Sequence, residues 1–213
     1  QYAVPEGMCY NASRIHKPDV PMARYLVTGA GGGMGQAVVR ELTAAGHEVW
    51  GIDLSLTREC PHPVPADVTD ELSLTAAFER VRREAGELSG IVHTAGIYNL
   101  ASLLELSEAD FLRIFNVNLF GIARVNRIFL PLLSRGSRIV MVSSELAPLD
   151  PLPFTGIYAI TKTAVEKYAA SLRMEAQLLG ISVSVIRPGA VDTGMLPASV
   201  TALNRFAEET KLY

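Results

Sequence analysis

Short apolar segments alternate along the chain with longer segments of helical periodicity. The segments that predict strands are RYLVT at 24–28, EVWGID at 48–53, PADV at 65–68, GIVHT at 90–94, RIVMVS at 138–143 and ISVSVIR at 181–187. Apolar positions three and four residues apart predict helices over 36–45, 71–85, 110–133 and 158–179. Short strands that are apolar on both faces are typical of a parallel sheet covered by helices on both sides. The pattern therefore predicts an α/β fold with a doubly wound sheet.

Glycines follow the first predicted strand and precede the first predicted helix, in the sequence TGAGGGMG at 28–35. Glycine lets a backbone turn tightly and approach a pyrophosphate, and the start of a helix offers free N–H groups and a positive dipole end. The segment lacks the Gly-Lys-Ser/Thr ending of an NTPase phosphate loop. We interpret it as a dinucleotide-binding turn, the alternative being a flexible glycine-rich turn without a ligand.

Acidic side chains lie on or after the second and third predicted strands. Asp53 ends the second strand, where a carboxylate accepts hydrogen bonds from the adenosine ribose and repels a 2′-phosphate. No Arg or Lys lies in the glycine turn or directly after Asp53, so the pattern favours NAD over NADP. The alternative for Asp53 is a solvated strand end. Asp67 and Val68 are expected to place a second carboxylate near the adenine amino group.

A phenol and an ammonium share one face of the helix predicted at 158–179. Tyr158 and Lys162 are four residues apart, so their side chains project in the same direction. A free phenol titrates near ~10, and a neighbouring cation lowers that pKa by favouring phenolate. The pair is therefore a candidate proton donor and acceptor near neutral pH. Taken alone, the same spacing is common on helix surfaces.

The composition limits the class of protein. The chain has 213 residues, of which 49% are hydrophobic and 19% charged, as expected for one globular domain. A net charge of −3 argues against a general nucleic-acid binder. We expect neither a membrane span nor a signal peptide. Cys9 and Cys60 show no disulfide or metal-ligand pattern, so we predict a cytoplasmic protein without a metal site.

Together these motifs resemble the short-chain dehydrogenase/reductase family over residues 24 to about 196. The matching pieces are Thr28-Gly29-x-x-x-Gly33-x-Gly35, Asp67-Val68, Thr94-Ala95-Gly96, Asn116-Val117-Asn118-Leu119, Ser143-Ser144, Tyr158-x-x-x-Lys162 and Pro188-Gly189-Ala190-Val191-Asp192-Thr193. The glycines also fit the extended branch of the family, but the length and the 188–193 segment favour the short single-domain branch. Stretches within 110–193 resemble its retinol and steroid dehydrogenase subgroup.

The resemblance implies roles for individual residues. Tyr158 is the general acid/base, and Lys162 lowers its pKa and holds the nicotinamide ribose. Ser144 hydrogen-bonds the substrate oxygen, with Ser143 as the alternative, and Asn118 holds a water in a proton relay through Lys162. The implied cofactor-binding set is Gly29, Gly32, Gly33, Met34, Gly35, Asp53, Asp67, Val68, Thr94, Ala95, Gly96, Tyr158, Lys162, Pro188, Gly189, Val191 and Thr193.

The chain departs from the family pattern in its central and terminal parts. Thr94 stands where the family usually has an Asn that braces the central strands, so the hydroxyl is expected to brace them less well without loss of activity. The proline-rich segment between Ser144 and Tyr158 is expected to form either an apolar wall of the substrate site or an ordinary rigid loop. The sequence given ends at Tyr213, so the family's seventh strand is expected to be absent.

These features predict three parts of the chain: an N-terminal extension at 1–23, a Rossmann domain with the active site at 24–196, and the start of a substrate-binding loop and helix at 197–213. The resemblance implies strand order 3-2-1-4-5-6. It also implies a homodimer or homotetramer formed through helices 110–133 and 158–179.

The expected activity is NAD-dependent interconversion of an alcohol and a ketone by hydride transfer. The resemblance to the steroid subgroup points to a lipophilic secondary alcohol, with a sugar, a polyol or an acyl-thioester ketone as other substrates. Two alternatives use the same fold. One is a NAD-binding regulatory or scaffold protein with little turnover, and the other is an epimerase that reduces its bound nicotinamide only transiently.

Overall fold

The computed structural model describes residues 21–149, 152–191 and 195–213. Most of the predicted N-terminal extension therefore lies outside the described residues. The described strands are β1 (Arg24–Thr28), β2 (Glu48–Asp53), β3 (His62–Pro65), β4 (Leu88–His93), β5 (Leu133–Val142) and β6 (Ser182–Ile186). They pair in parallel in the order β3-β2-β1-β4-β5-β6, which confirms the predicted topology.

Helices connect the strands and cover both faces of the sheet. They are α1 (Gly33–Ala44), α2 (Glu71–Glu84), α3 (Glu108–Phe115), α4 (Gly121–Phe129), α5 (Gly156–Ala176) and α6 (Met195–Glu209). Side chains fix two of the starting points, because Asp70 accepts a hydrogen bond from the N–H of Leu72 and Ser107 from that of Asp110. Among the described residues, no helix combines the length and the apolar character that a membrane crossing needs.

Neighbouring residues of β1 face opposite sides of the sheet and join different parts of the core. Leu26 belongs to a buried cluster with Trp50 and Phe129, whereas Val27 packs in a separate cluster with Val39 of α1. A third cluster joins β5 and β6 to α5. This two-sided burial is the physical reason why the strands are apolar on both faces.

Two predicted elements differ from the structure. The third strand is His62–Pro65 and not 65–68, because Asp67 turns the chain: its Oδ1 accepts hydrogen bonds from the N–H and the hydroxyl of Thr69, both at 2.7 Å. The helix predicted at 110–133 is not one regular α-helix. A π-helical turn at Asn116–Phe120 separates α3 from α4, and a short 3₁₀ turn ends at Leu132 before β5.

Candidate active site

A cleft of about 650 Å³ opens where β1, β4, β5 and β6 end. The predicted site residues that line it are Gly29, Gly32, Gly33, Met34, Gly35, Thr94, Gly96, Ser144, Tyr158, Lys162, Pro188, Gly189 and Val191. The lining does not include Asp53, Asp67, Val68, Ala95 or Asn118. Thr193 lies outside the described residues. The cleft thus joins the glycine turn at one end to the Tyr158 pair at the other.

Steric contacts of the backbone determine the glycine turn. Gly29 has φ +72°, a left-handed conformation that favours glycine. A Cβ on Gly35 would lie 1.9 Å from the carbonyl oxygen of Gly29, and one on Gly31 would lie 1.8 Å from that of Ser55. No side chain caps the start of α1. The first N–H groups of that helix therefore face the cleft as donors for an anionic group such as a pyrophosphate.

Asp53 lies behind the glycine turn and ties it to the end of β2. Its Oδ2 accepts a hydrogen bond from the N–H of Gly31 at 3.0 Å, and its Oδ1 accepts one from the N–H of Ser55 at 3.2 Å. Each carboxylate oxygen keeps a further lone pair for another donor. The position fits a residue that supports the turn and also accepts from a ribose hydroxyl.

Thr94 braces the two central strands, although the family usually has Asn there. Its hydroxyl donates to the carbonyl of Thr28 at 2.7 Å, which joins the ends of β4 and β1. The following residue, Ala95, packs against Gly29, where an added Cβ would lie 2.5 Å from the Ala95 nitrogen. Ala95 therefore acts on the cleft through the backbone contact.

Tyr158 and Lys162 occupy the other end of the cleft on the first turns of α5. Both are buried, and the Lys162 Nζ lies 5.6 Å from the centre of the Tyr158 ring and donates to the carbonyl of Val142 at 3.0 Å. Burial lowers the pKa of Lys162 to about 8. The ammonium therefore titrates close to physiological pH.

The predicted lowering of the Tyr158 pKa is wrong for the chain by itself. Burial raises the pKa of this phenol, a hydrogen bond with the Ser144 side chain opposes the rise, and Tyr98 adds to it. Desolvation outweighs the predicted influence of the Lys162 cation because the ring lies inside the protein. Tyr158 therefore lines the cleft as a neutral phenol, which can donate a proton.

The two adjacent serines after β5 face different parts of the molecule. The Ser143 hydroxyl has two acceptors for its one proton, the carbonyl of Lys162 at 3.2 Å and Glu166 Oε1 at 3.0 Å, and both direct it towards α5. Ser144 contacts Tyr158, and its Oγ also accepts from the N–H of Leu146 at 3.2 Å. Of the two, Ser144 has the geometry to meet a substrate oxygen beside Tyr158.

Asn118 lies on the π-helical turn and is fully buried. Its Oδ1 accepts from the N–H of Ile97 at 2.8 Å, while its Nδ2 donates to the carbonyl of Ile97 and to the hydroxyl of Thr161, both at 3.0 Å. The side chain joins the segment after β4 to α5. It borders the site from behind, because an added Cβ on Gly96 would be 3.4 Å from both Asn118 Oδ1 and Lys162 Nζ.

The predicted adenine residues lie outside the cleft lining, and the proline-rich segment contributes little to it. The carboxylate of Asp67 is engaged by Thr69, and Val68 packs against Gly121 at the start of α4. Within the proline-rich segment only Leu146 lines the cleft among its described apolar side chains. Leu149 and Leu152 are each 57% exposed and point into solvent instead.

Several residues of the lining carry no motif that the sequence analysis recognised. Tyr98 is the main one: its ring centre lies 5.0 Å from that of Tyr158. Its position two residues after Gly96, in the segment after β4, indicates that it lies near the cleft. Arg113 and Glu145 also line the cleft, as does Ala202 of α6. Ala202 belongs to the part at 197–213 that the family resemblance predicts as the start of a substrate-binding loop and helix, although no local motif marks the residue itself.

Aromatic rings hold α6 over the cleft. Phe206 packs against Phe154 and Tyr213, with ring centres 4.4 and 6.4 Å apart. Glu105 accepts hydrogen bonds from the hydroxyl of Thr210 at 2.8 Å and from the N–H of Lys211 at 2.7 Å. The end of the chain is therefore tied both to the segment after β4 and to the segment before α5.

The fold and the cleft define a doubly wound protein built for a dinucleotide and a small molecule. A family sequence model described as short chain dehydrogenase matches residues 24–204, and the chain belongs to this family of nicotinamide-dependent oxidoreductases. The predicted likeness to the steroid subgroup is also confirmed. Human 17-beta-hydroxysteroid dehydrogenase type 6 is 35% identical over 182 residues, which are 79% of this chain and 57% of that protein. The chain thus spans little more than half of that relative.

Solved structures share the same architecture. The ligand-free aldohexose dehydrogenase of Thermoplasma acidophilum aligns with a TM-score of 0.80 and 25% identity, over 88% of this chain and 74% of that one. A short chain dehydrogenase from Burkholderia cenocepacia in complex with NADP aligns with a TM-score of 0.76 and 28% identity, over 81% and 76% of the two chains.

Proposed function

We propose that the protein is a NAD-preferring oxidoreductase that interconverts a lipophilic secondary alcohol and its ketone. The observation that carries the proposal is the meeting of Ser144, Tyr158 and Lys162 in one cleft with the glycine turn. An apolar substrate agrees with the hydroxysteroid in the name of the human relative, whereas the aldohexose enzyme favours a sugar. The apolar side chains of Ile97, Leu146 and Val142 along the cleft support the first choice.

The chemistry divides between the cofactor and the side chains. A bound nicotinamide supplies the hydride donor or acceptor. Ser144 donates a hydrogen bond to the substrate oxygen, and Tyr158 gives its proton to that oxygen in reduction and takes it back in oxidation. Lys162, held beside the phenol by its hydrogen bond to the Val142 carbonyl, is assigned to the nicotinamide ribose hydroxyls from the family resemblance. Asn118 positions the segment after β4 and α5 around Lys162 and borders the proposed proton path.

The chain's residues fit a nicotinamide dinucleotide. The uncapped start of α1 suits the pyrophosphate, and the carboxylate of Asp53 suits ribose hydroxyls and disfavours a 2′-phosphate. Gly96, Pro188, Gly189 and Val191 flank the nicotinamide end in this proposal, with Thr193 assigned from the family resemblance alone. The Burkholderia protein is in complex with NADP, so the test of cofactor preference compares both dinucleotides.

The catalytic assignment is tested with Tyr158→Phe and hydride transfer measured by nicotinamide absorbance on a panel of apolar ketones and sugars. We expect turnover to fall by more than about a hundredfold, as for loss of a general acid/base, and NADH binding to stay within about threefold. A matched Tyr168→Phe variant controls for loss of a phenol hydroxyl elsewhere on α5. Near-normal turnover in Tyr158→Phe would refute the assignment.

The cofactor preference is tested with fluorescence titrations of NADH and NADPH against wild type and Asp53→Ala. We expect NADH to bind at least about tenfold more tightly than NADPH, and the ratio to shrink in the variant. Because Asp53 also supports the glycine turn, the ratio is the diagnostic quantity and not the absolute affinity. Equal affinities in wild type would overturn the NAD preference. Bound cofactor with no net NADH release would favour the epimerase alternative.

The proposal extends to chain organisation and assembly. We assign cofactor binding and catalysis to residues 24–196 and the substrate-side helix to 197–213. A homodimer or homotetramer through 110–133 and 158–179 is supported by exposed apolar side chains on these helices, such as Phe120 and Met174, which are 44% and 63% exposed. Light scattering of the purified protein measures its mass directly, and a monomer would reject this assembly.

A further inference from the structure

Glu145 brings a negative charge into the cleft beside Ser144. It directly follows Ser144 in the chain and lines the cleft. Its N–H donates to the carbonyl of Pro188 at 3.0 Å, and a Cβ on Gly189 would lie 3.1 Å from Glu145 Oε2. The carboxylate is therefore located between the ends of β5 and β6, where the nicotinamide end that we assign to Pro188 and Gly189 meets the substrate position beside Ser144.

The other charged groups near this end are already engaged. Glu166 is held by Arg187 at 2.5 and 2.7 Å, Arg113 lies 3.6 Å from Asp110, and Lys162 donates to Val142. Within the part of the chain that the structure describes, no hydrogen bond or ion pair holds the Glu145 carboxylate. Its two oxygens are free to accept hydrogen bonds from a ligand in the cleft.

The other residues that line the cleft explain why a free carboxylate at this position discriminates between substrates. Ile97 and Leu146 offer an apolar wall, and Ser144 and Tyr158 contact the reacting oxygen in the proposed function. Glu145 is exposed in the free protein, so a substrate group that covers it without a donor removes its water and leaves the carboxylate unpaired, and a second anion adds repulsion. A donor on the substrate satisfies it. The substituent next to the reacting carbon of the substrate therefore decides whether the substrate is favoured or rejected.

We propose that Glu145 determines specificity for alcohols and ketones that carry an apolar body and a hydrogen-bond donor, hydroxyl or ammonium, close to the reacting carbon. The same carboxylate rejects substrates with an acid group at that position. This inference rests on the proposed oxidoreductase function and narrows its substrate class from any lipophilic alcohol to amino alcohols and diols.

The test uses four eight-carbon secondary alcohols that differ only at the terminal carbon beside the reacting one. In the first compound that carbon is a methyl group, in the second it carries a hydroxyl, in the third it carries an ammonium, and in the fourth it is a carboxylate. We expect kcat/KM to be about tenfold higher for the ammonium and hydroxyl compounds than for the methyl compound, and about tenfold lower for the carboxylate, a factor equal to about 1.4 kcal/mol per step.

Glu145→Gln separates charge from hydrogen bonding. We expect the ammonium advantage and the carboxylate penalty to fall to within about threefold, while the hydroxyl compound keeps its advantage because an amide oxygen still accepts. Glu87→Gln is the matched control, since Glu87 is exposed just before β4 and its replacement changes the net charge equally. The ratios in this control should equal those of wild type.

The outcomes distinguish the two proposals. Turnover of the methyl compound with ratios that are flat in wild type, or that are the same in Glu145→Gln, would overturn the role of Glu145 and leave the oxidoreductase function intact. No turnover of any of the four compounds with NAD or NADP, in both directions, would overturn the proposed function and the inference with it. Thermal melts of both variants confirm that folded proteins are compared.

Discussion

The two ends of the cleft differ in whether backbone or side chains form them. At the glycine turn, backbone atoms approach so closely that Gly31 and Gly35 leave no space for a methyl group. At the Tyr158 end, buried side chains from distant segments form the surface. The glycine end depends on the absence of side chains, and a short sequence motif is enough to indicate that. The Tyr158 end depends on contacts with distant segments, which no local motif contains.

The two ends also differ in what they contribute to stability. The glycine turn buries no ionised side chain of its own. The Tyr158 end buries the Lys162 ammonium, which is 5% exposed and donates a hydrogen bond to the carbonyl of Val142. Burying a charge with so little compensation is unfavourable for folding, so we attribute its presence to the proposed chemistry.

The largest expected effect comes from adding one methyl group at the glycine end. Gly35→Ala places a Cβ 1.9 Å from the Gly29 carbonyl oxygen, which forces the turn away from α1. We expect the free energy of unfolding to fall by about 3 kcal/mol, at the upper end of overpacking effects. NADH binding, measured by fluorescence, should be lost within the accessible range.

Gly32→Ala is the matched control in the same turn. A Cβ there meets the Gly29 carbonyl oxygen at 3.4 Å, an ordinary van der Waals contact, and Gly32 has φ −79°. We expect its thermal melt to resemble wild type within a few degrees. Equal destabilisation by both variants would show that glycine flexibility, and not the steric contact, governs this end of the cleft.

The same contrast explains how far the sequence could predict the molecule. The doubly wound sheet and the glycine turn could be predicted because they depend on two-sided burial and on local backbone geometry, whereas the strand order came from the family resemblance. The positions of Tyr158 and Lys162 on one face followed from helical spacing. The direction of the Tyr158 pKa did not, since it depends on burial by segments that the spacing does not contain.

Elements with long-range partners were missed for the same reason. The π-helical turn at Asn116–Phe120 carries Asn118, whose bonds to Ile97 and Thr161 come from distant segments, and the apolar pattern of a helix contains no sign of them. Likewise, Phe154 before α5 packs against Phe206 of α6, and composition cannot indicate a pairing between such separate parts of the chain.

A second prediction concerns the buried charge. Lys162→Met replaces the ammonium by an apolar side chain of similar length. We expect it to abolish turnover and, at pH 7 without cofactor, to raise the free energy of unfolding by about 2 kcal/mol, because the desolvation cost exceeds the one lost hydrogen bond. Denaturant melts of both proteins at matched ionic strength measure the difference.

The effect of Lys162→Met on the free energy of unfolding depends on pH. The pKa of Lys162 is lowered from 10.5 to about 8 on folding. Below the lower value both states are protonated and the cost is complete. Between the two values only the unfolded state binds the proton, so wild-type stability rises with pH. The advantage of Lys162→Met should therefore shrink between about pH 8 and 10.5. A constant difference over this range would contradict a buried, perturbed lysine.

The smallest expected effect lies at α6, which closes the Tyr158 end. Phe206→Ala removes the ring that packs 4.4 Å from Phe154, one helical turn after Ala202 of the cleft lining. We expect KM for an apolar ketone to rise about fivefold, a loss of about 1 kcal/mol that is typical of an aromatic pair, with NADH affinity unchanged within about twofold. Phe111→Ala is the control, because Phe111 is 39% exposed and stacks on Phe115 away from the cleft lining. If Phe206→Ala weakens NADH binding as much as ketone binding, the two ends of the cleft are not independent, because α6 would then support the cofactor end as well.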